Sequence, residues 1–312
     1  MQNAKWIGLS VVVLAAQTAW ASPHNKLQHV VNLSTTPFTI AEPGTYVVLQ
    51  NWDVTTTEVG EVLIDITASD VVLDLHGFEI AWDGSDGAVG IAITGNDVTA
   101  RNGRLEGNTT STAIRSTGAD TTVDEVDVEF DLQSYLQGDR AVIRNSQFLN
   151  RGGIFVNGTD SRIESSDISD NQGVLVLGPG AQARNNHIAG IQNRTVSIEG
   201  DGAIFQNNVV ETLRIERDSL TVAGNDNLIV DNTLRFNFIE TTVAAIRVAG
   251  TRNVIRGNLA APSATPFADP RWTTGIAFEQ DGNFYGNNQM AATVPFDVGG
   301  TVQTDWGGNV GF

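Results

Sequence analysis

Ionisable residues of alternating sign stand at nearly even spacing along the middle of this chain: Asp74, Arg101, Asp124, Arg144, Glu164 and Arg184, the last four at intervals of 20 residues. If that interval is one structural repeat, each acid lies beside an arginine. Two chemistries fit. Arg101, Arg144 and Arg184 form a strip that grips the carboxylates or hydroxyls of a sugar, with Asp124 and Glu164 as general acid, general base or metal ligands. Alternatively the strip is a row of exposed ion pairs, each worth about 0–1 kcal/mol. Such a row opposes a slip of one repeat, because the slip would set like charges side by side.

Two further groups bear chemistry. In the run Asp124-Glu125-Val126-Asp127-Val128-Glu129-Phe130-Asp131, the carboxylates Glu125, Asp127, Glu129 and Asp131 alternate with apolar or aromatic residues, which predicts one shared strand face. Several carboxylates on one face hold Ca²⁺ through oxygen; the other reading is a solvated acidic face. No EF-hand loop and no glycine–aspartate nonapeptide array accompanies them. The segment Leu259 to Gly275 is the longest insertion and contains Phe267, Arg271 and Trp272. Trp272 and Phe267 would stack on sugar rings beside Arg271 in one wall of a groove. The alternative is a cover over an apolar strip, Ile204, Leu228, Val254 and Phe284. His76 and His187 are the only histidines in the repetitive part of the chain. No Walker loop, zinc pattern or Ser-His-Asp arrangement is legible from the spacing.

The elements that position these residues are set by a repeat. Gly95, Gly118, Gly138, Gly158, Gly178, Gly200, Gly224 and Gly250 recur every 20 to 26 residues. Two residues before each is a strand-end position (Ile93, Ser116, Leu136, Val156, Val176, Ile198, Val222, Val248). Five after is an apolar one (Ala100, Val123, Ile143, Ile163, Ala183, Phe205, Ile229, Ile255), and five beyond that another, from Leu105 to Ala260. Alternation at period two predicts short strands with one buried face. No repeat contains a helical run. The period is that of a solenoid, here an all-β parallel β-helix of about ten coils between Val62 and Met290. The glycine is expected at a sharp bend that needs unusual backbone angles. A second, polar corner recurs as Asn145-Ser146, Ser165-Ser166, Asn185-Asn186, Asn207-Asn208, Asp231-Asn232, Gly257-Asn258 and Asn287-Asn288. Asn favours such turns, and stacking would file these residues about 4.8 Å apart.

Outside the coils, residues 1–21 read as an export signal: Lys5, an apolar run from Ile7 to Ala16, and Ala19-Trp20-Ala21 before Ser22. The run is too short to span a membrane. The expectation is a secreted or periplasmic protein. Residues 22–61 are expected to cap one end of the solenoid and residues 291–312 the other. There is no cysteine, so a stacked core must replace disulfides. The formal net charge of −18 disfavours nucleic acid and anionic membrane as partners. It also opposes polyanionic glycans unless Ca²⁺ bridges the carboxylates. No cofactor is firmly indicated, and Ca²⁺ is the one metal considered.

The entry Pro43-Gly44-Thr45-Tyr46, followed by Val72-Leu73-Asp74-Leu75-His76-Gly77-Phe78 and Val98-Thr99-Ala100-Arg101-Asn102-Gly103, resembles the pectate-lyase-like superfamily of right-handed parallel β-helices. The resemblance spans nearly the whole exported chain. It implies polysaccharide as the partner and a fold that hosts lyases, hydrolases, esterases, epimerases and adhesins. Lyases of the superfamily remove the proton α to a uronate carboxyl with Lys or Arg as base. The only lysine beyond the signal is Lys26, so Arg144 or Arg184 would be that base here. The Asn-Thr-Asp, Asp-Asp and Gly-His-Gly signatures of polygalacturonases and the Asp-Pro-His-Asp of alginate epimerases are absent. Three readings stand: a polysaccharide-interacting protein, a glycan-active enzyme such as a polysaccharide lyase, and an adhesive module that self-associates through the apolar strip.

Overall fold

The structure, a computed structural model, describes residues 28–34, 36–56, 58–84, 86–107, 111–130, 134–150, 153–170, 175–190, 196–212, 218–236, 244–262 and 272–311. The signal-like stretch, Asp131, Phe267 and Arg271 lie outside these. Among the described residues every regular element is a strand, and no helix is long and apolar enough to cross a membrane. All strand pairs are parallel, each joining one coil to the next.

One coil shows the plan. Ile154–Val156 belongs to a first face, Arg162–Glu164 to a second and Asp167–Asp170 to a third. The first face is a 12-stranded sheet running from Phe38–Ile40 to Ala292–Asp297. The second and third faces are joined into one sheet by Val98–Glu106 and Thr122–Phe130, which run through the corner between them. The chain is thus a parallel β-solenoid. The inward positions read from the repeat are the core: Ala100, Val123, Ile143, Ile163, Ala183, Phe205, Ile229 and Ile255 are all at most 1% exposed.

The ladder extends into both segments expected to be caps, because Phe38–Ile40 pairs with Val62–Ile66 and Ala292–Asp297 pairs with Trp272–Phe278. Polar residues close the inward file at its ends. His29 stacks on Tyr46 with ring centroids 4.8 Å apart, and the file Ile229, Ile255, Tyr285 ends in Asp305. A further coil laid on Asp305 would bury its carboxylate, which blunts that edge.

Both corners form as the sequence implies, but the glycine does a different job from the one expected. The repeated glycines are not the left-handed residues; Asp97, Asp120, Arg140 and Asp160, two positions later, are, with φ of 55–58°. What the glycine supplies is the lack of a side chain. A Cβ on Gly118 would lie 1.8 Å from the carbonyl oxygen of Gly95, and one on Gly138 the same distance from that of Gly118. One coil also departs from the repeat: Leu177, not Val176, aligns with Val156, because the turn at Pro179-Gly180 is shorter.

At the second corner the first residue of each pair is left-handed (Asn145 51°, Asn185 57°, Asn207 55°, Asn287 55°). The second turns inward and forms a buried ladder. Asn186 Nδ2 donates to Asn208 Oδ1 at 3.0 Å, Asn208 Nδ2 to Asn232 Oδ1 at 3.1 Å, and the file continues through Asn258 to Asn288. Each Oδ1 also takes the backbone N–H of the coil before it. The corner Asn residues are therefore structural, satisfying buried backbone donors that a turn leaves without partners.

Candidate functional site

The second face brings the alternating charges together. Strand register aligns Asp74, Arg101, Asp124, Arg144, Glu164 and Arg184 in one outward file that continues through Gln206 and Val230 to Arg256. Arg101 Nη2 lies 2.9 Å from Asp74, and Arg144 Nη2 lies 2.8 Å from Asp124, which also accepts from Asn145 Nδ2. The hydrogen bond from Arg144 holds the Asp124 carboxyl below the usual range against the opposing effect of burial, and Asn145 adds to it. The same hydrogen bond and the Asp124 charge push Arg144 upward, away from deprotonation. That works against Arg144 as a proton-abstracting base. The Arg184 side chain is partly buried, and its Nε–H has no partner among the described residues.

The acidic strand is divided by a corner. Glu125 sits at the bend with φ 55°, so the expectation of one shared face is corrected: Asp127 and Glu129 face outward on the third face, and Glu125 does not share their line. Glu129 pairs with Arg104, which also lies 3.2 Å from Glu79 and 3.1 Å from Glu106. Burial opposes the Arg104 charge, but the Glu106 hydrogen bond and the surrounding glutamates outweigh it and raise its pKa. Among the described residues no three His, Asp or Glu side chains are grouped to hold a metal ion.

Trp272 opens a first-face strand, Trp272–Phe278, and pairs with Ala292. The apolar strip is real: Ile204, Leu228, Val254 and Phe284 are aligned rung by rung and partly buried, and Phe284 stacks on Trp306 at 5.4 Å.

A cluster that the charge pattern does not reveal lies on the third face. His187 Nδ1 is 3.2 Å from Asp167 Oδ1, its Nε2 is 3.6 Å from Glu211 Oε2, and Arg235 Nη1 donates to Glu211 at 3.1 Å. Ser169 Oγ donates to the same Asp167 oxygen at 3.3 Å. These residues come from four successive coils, Asp167–Asp170, His187–Gly190, Val209–Thr212 and Thr233–Phe236. Which of the two ring nitrogens carries a proton decides whether it donates to its carboxylate. The 3.6 Å between Nε2 and Glu211 is wider than a hydrogen bond. Between Leu149 and Glu211 the neighbouring file falls to the small side chains of Ser169 and Ala189. The result is a shallow polar trough that can donate to and accept from hydroxyl groups. Asp167 and His187 each precede an inward residue, whereas Glu211 follows one, and this offset hides the group from a repeat-by-repeat reading. On the first face, Tyr135 and Phe155 stack at 5.2 Å beside Arg115.

No protein-family model and no curated protein matches the chain. Solved structures match its fold. The A-module of mannuronan C-5 epimerase AlgE4 from Azotobacter vinelandii superposes with a TM-score of 0.54 at 15% identity, over 84% of this chain and 91% of that one. A tailspike protein variant of E. coli bacteriophage HK620, in complex with a hexasaccharide, gives 0.62 at 13% identity, over 84% of this chain and 58% of that one. A second HK620 tailspike variant, with a pentasaccharide, gives 0.58 at 14% identity over 86% and 60%. The chain spans less than two thirds of the tailspike it matches. These matches show the fold alone, a parallel β-helix.

Proposed function

We propose that this is an exported protein that binds polysaccharide along the outer wall of its β-helix. The observation that carries the reading is the shared coil: one similar fold belongs to an epimerase named for mannuronan and another to a tailspike that holds a hexasaccharide. The wall itself is consistent with it. Outward side chains stand in straight files about 4.8 Å apart, a rigid array along which an extended chain of sugars makes repeated contacts. Export rests on the signal-like residues 1–21, and sequencing the N-terminus of the released protein should find Ser22 first.

The test is a panel of purified neutral and anionic polysaccharides, scored by gel retardation, with unsaturated-product absorbance and reducing ends followed in parallel. Retardation by at least one polymer is expected. A protein that binds none of them is not a glycan-directed β-helix. If unsaturated product forms, Arg144→Ala should retain it, because Arg144 is engaged by Asp124; loss of product in that variant alone would restore Arg144 as the lyase base.

A further inference from the structure

The proposed function leaves the class of glycan open, and the second face narrows it. We infer that the wall takes an acidic glycan and holds one of its anionic groups, a carboxylate or a sulfate ester, between Arg162 and Arg184. This rests on the polysaccharide reading above.

The first arginines of the second face are engaged: Arg101 holds Asp74, and Arg144 holds Asp124. The alternation of sign then stops. Arg184 is followed in its file by Gln206 and Val230, where an acid would continue the series. Arg162 stands in the neighbouring file between Val142 and Gln182. Neither guanidinium has an ion-pair partner among the described residues, and the Arg184 Nε–H is buried without an acceptor. Across the strands Arg162–Glu164, Gln182–Arg184 and Ile204–Gln206, two arginines stand against one acid, Glu164, which is paired with neither. The chain carries a formal net charge of −18, yet here it leaves positive charge in excess.

The register makes the two arginines diagonal neighbours. Arg162 aligns with Gln182, and Glu164 with Arg184, which sets the arginine Cβ atoms about 7–8 Å apart. Half that span is within the reach of an arginine side chain, so both can close on one anionic group. The planar fork of each guanidinium matches the oxygens of a carboxylate or a sulfate, and such charge-assisted hydrogen bonds are the strong ones. Gln182 and Gln206 stand beside them and can donate to and accept from the hydroxyls of the same sugar. A charged donor buried without a partner is costly, and an anion on the Arg184 guanidinium offsets that cost. No acid has to be displaced, as one would be at Arg101 or Arg144.

The experiment is affinity gel electrophoresis of the full protein in polygalacturonate, alginate and dextran sulfate, with dextran and hydroxyethylcellulose as neutral polymers. It is run in EDTA at low and high salt, and again with CaCl₂. Arg162→Gln and Arg184→Gln are compared with Arg252→Gln, which removes the same charge from a pair with Asp226 at the glycine corner, several coils away. The expected result is retardation by an acidic polymer in EDTA that salt weakens. Each of the two face variants should weaken it about tenfold or more, and Arg252→Gln should leave it unaltered. The carboxylated and sulfated polymers tell which anionic group is held. Binding to neutral polymers alone, or to acidic ones only with Ca²⁺, would overturn this inference and leave the polysaccharide reading intact. Acidic binding that both face variants preserve, or that Arg252→Gln weakens as much, would overturn the site. Binding to nothing would remove both.

Discussion

The buried Asn ladder makes the sharpest prediction, because every group in it can be followed. Asn208 is 1% exposed. Its Oδ1 accepts from the backbone N–H and the Nδ2 of Asn186, both at 3.0 Å, and its Nδ2 donates to the Ala183 carbonyl at 2.9 Å and to Asn232 Oδ1 at 3.1 Å. In Asn208→Ala two groups keep a partner: Asn186 Nδ2 still donates to Ile163, and Asn232 Oδ1 still accepts from the backbone N–H of residue 208. The Asn186 backbone N–H does not, and a buried donor left alone costs about 1–3 kcal/mol. With the lost bond to Ala183 and the vacated volume, the expected destabilisation is about 2–4 kcal/mol. Asn208→Leu fills the space but leaves the same N–H alone, so it should be no better than Ala. Asn208→Ser should recover much of the loss, because the ladder already uses serine this way: the Val126 N–H donates to Ser146 Oγ at 3.2 Å and the Ser146 N–H to Ser166 Oγ at 3.3 Å. Urea unfolding measures the energies, and hydrogen exchange at the Asn186 amide reports the orphaned group directly. In a stacked coil the weakness is local, so exchange should rise first in the neighbouring rungs. If Asn208→Leu restores stability, volume and not hydrogen bonding holds this corner, and the reasoning fails.

Two further outcomes are expected of the scaffold. Gly138→Ala places a Cβ 1.8 Å from the Gly118 carbonyl oxygen and must push two coils apart, whereas Gly77→Ala, at φ 79° with nothing within 4 Å, pays only the left-handed cost of about 1–2 kcal/mol; thermal melts in which Gly77→Ala is the worse of the two would refute the close-approach explanation. Asp124, its pKa depressed chiefly by the hydrogen bond from Arg144, contributes stability that is present above the unfolded Asp value of about 3.9 and is lost as pH falls through the lower folded value. The parent should therefore exceed Asp124→Asn by roughly 0.5–1 kcal/mol at neutral pH, as befits a pair whose arginine is half exposed. That margin should close in strong acid, and one that is constant with pH would show that the pair contributes nothing through ionisation.

The architecture was legible because the features that build it repeat at short range. Inward files such as Ile143, Ile163 and Ala183 are spaced by one coil, and the same interval returns the corner pairs, so each coil confirms the one before. The parts that were not legible depend on what crosses from coil to coil. Nothing in the sequence distinguishes a glycine needed for its backbone angle from one needed because the previous coil's carbonyl lies against it. The displacement of Leu177 into the file of Val156 follows from a shortened turn, which a fixed offset from Gly178 misses. The acidic run reads as one face only until the bend at Glu125 is known.

The charge ladder shows why the functional site is harder to read than the fold. Its regularity is what made it visible, yet the file is not uniform: the guanidiniums that pin Asp74 and Asp124 to the next coil are not free to take a ligand's carboxylate, whereas Arg184 in the same file has no such pair among the described residues. A side chain that serves every coil equally is selected by stacking, so the periodic residues are the poorest guides to chemistry. The third-face trough has the opposite character. Asp167 and His187 share one file, Glu211 and Arg235 the next, and small Ser169 and Ala189 stand in that second file beside Asp167 and His187. On this wall the His187 imidazole stands between Asp167 and Glu211, a grouping that no single offset from the repeated glycine reveals.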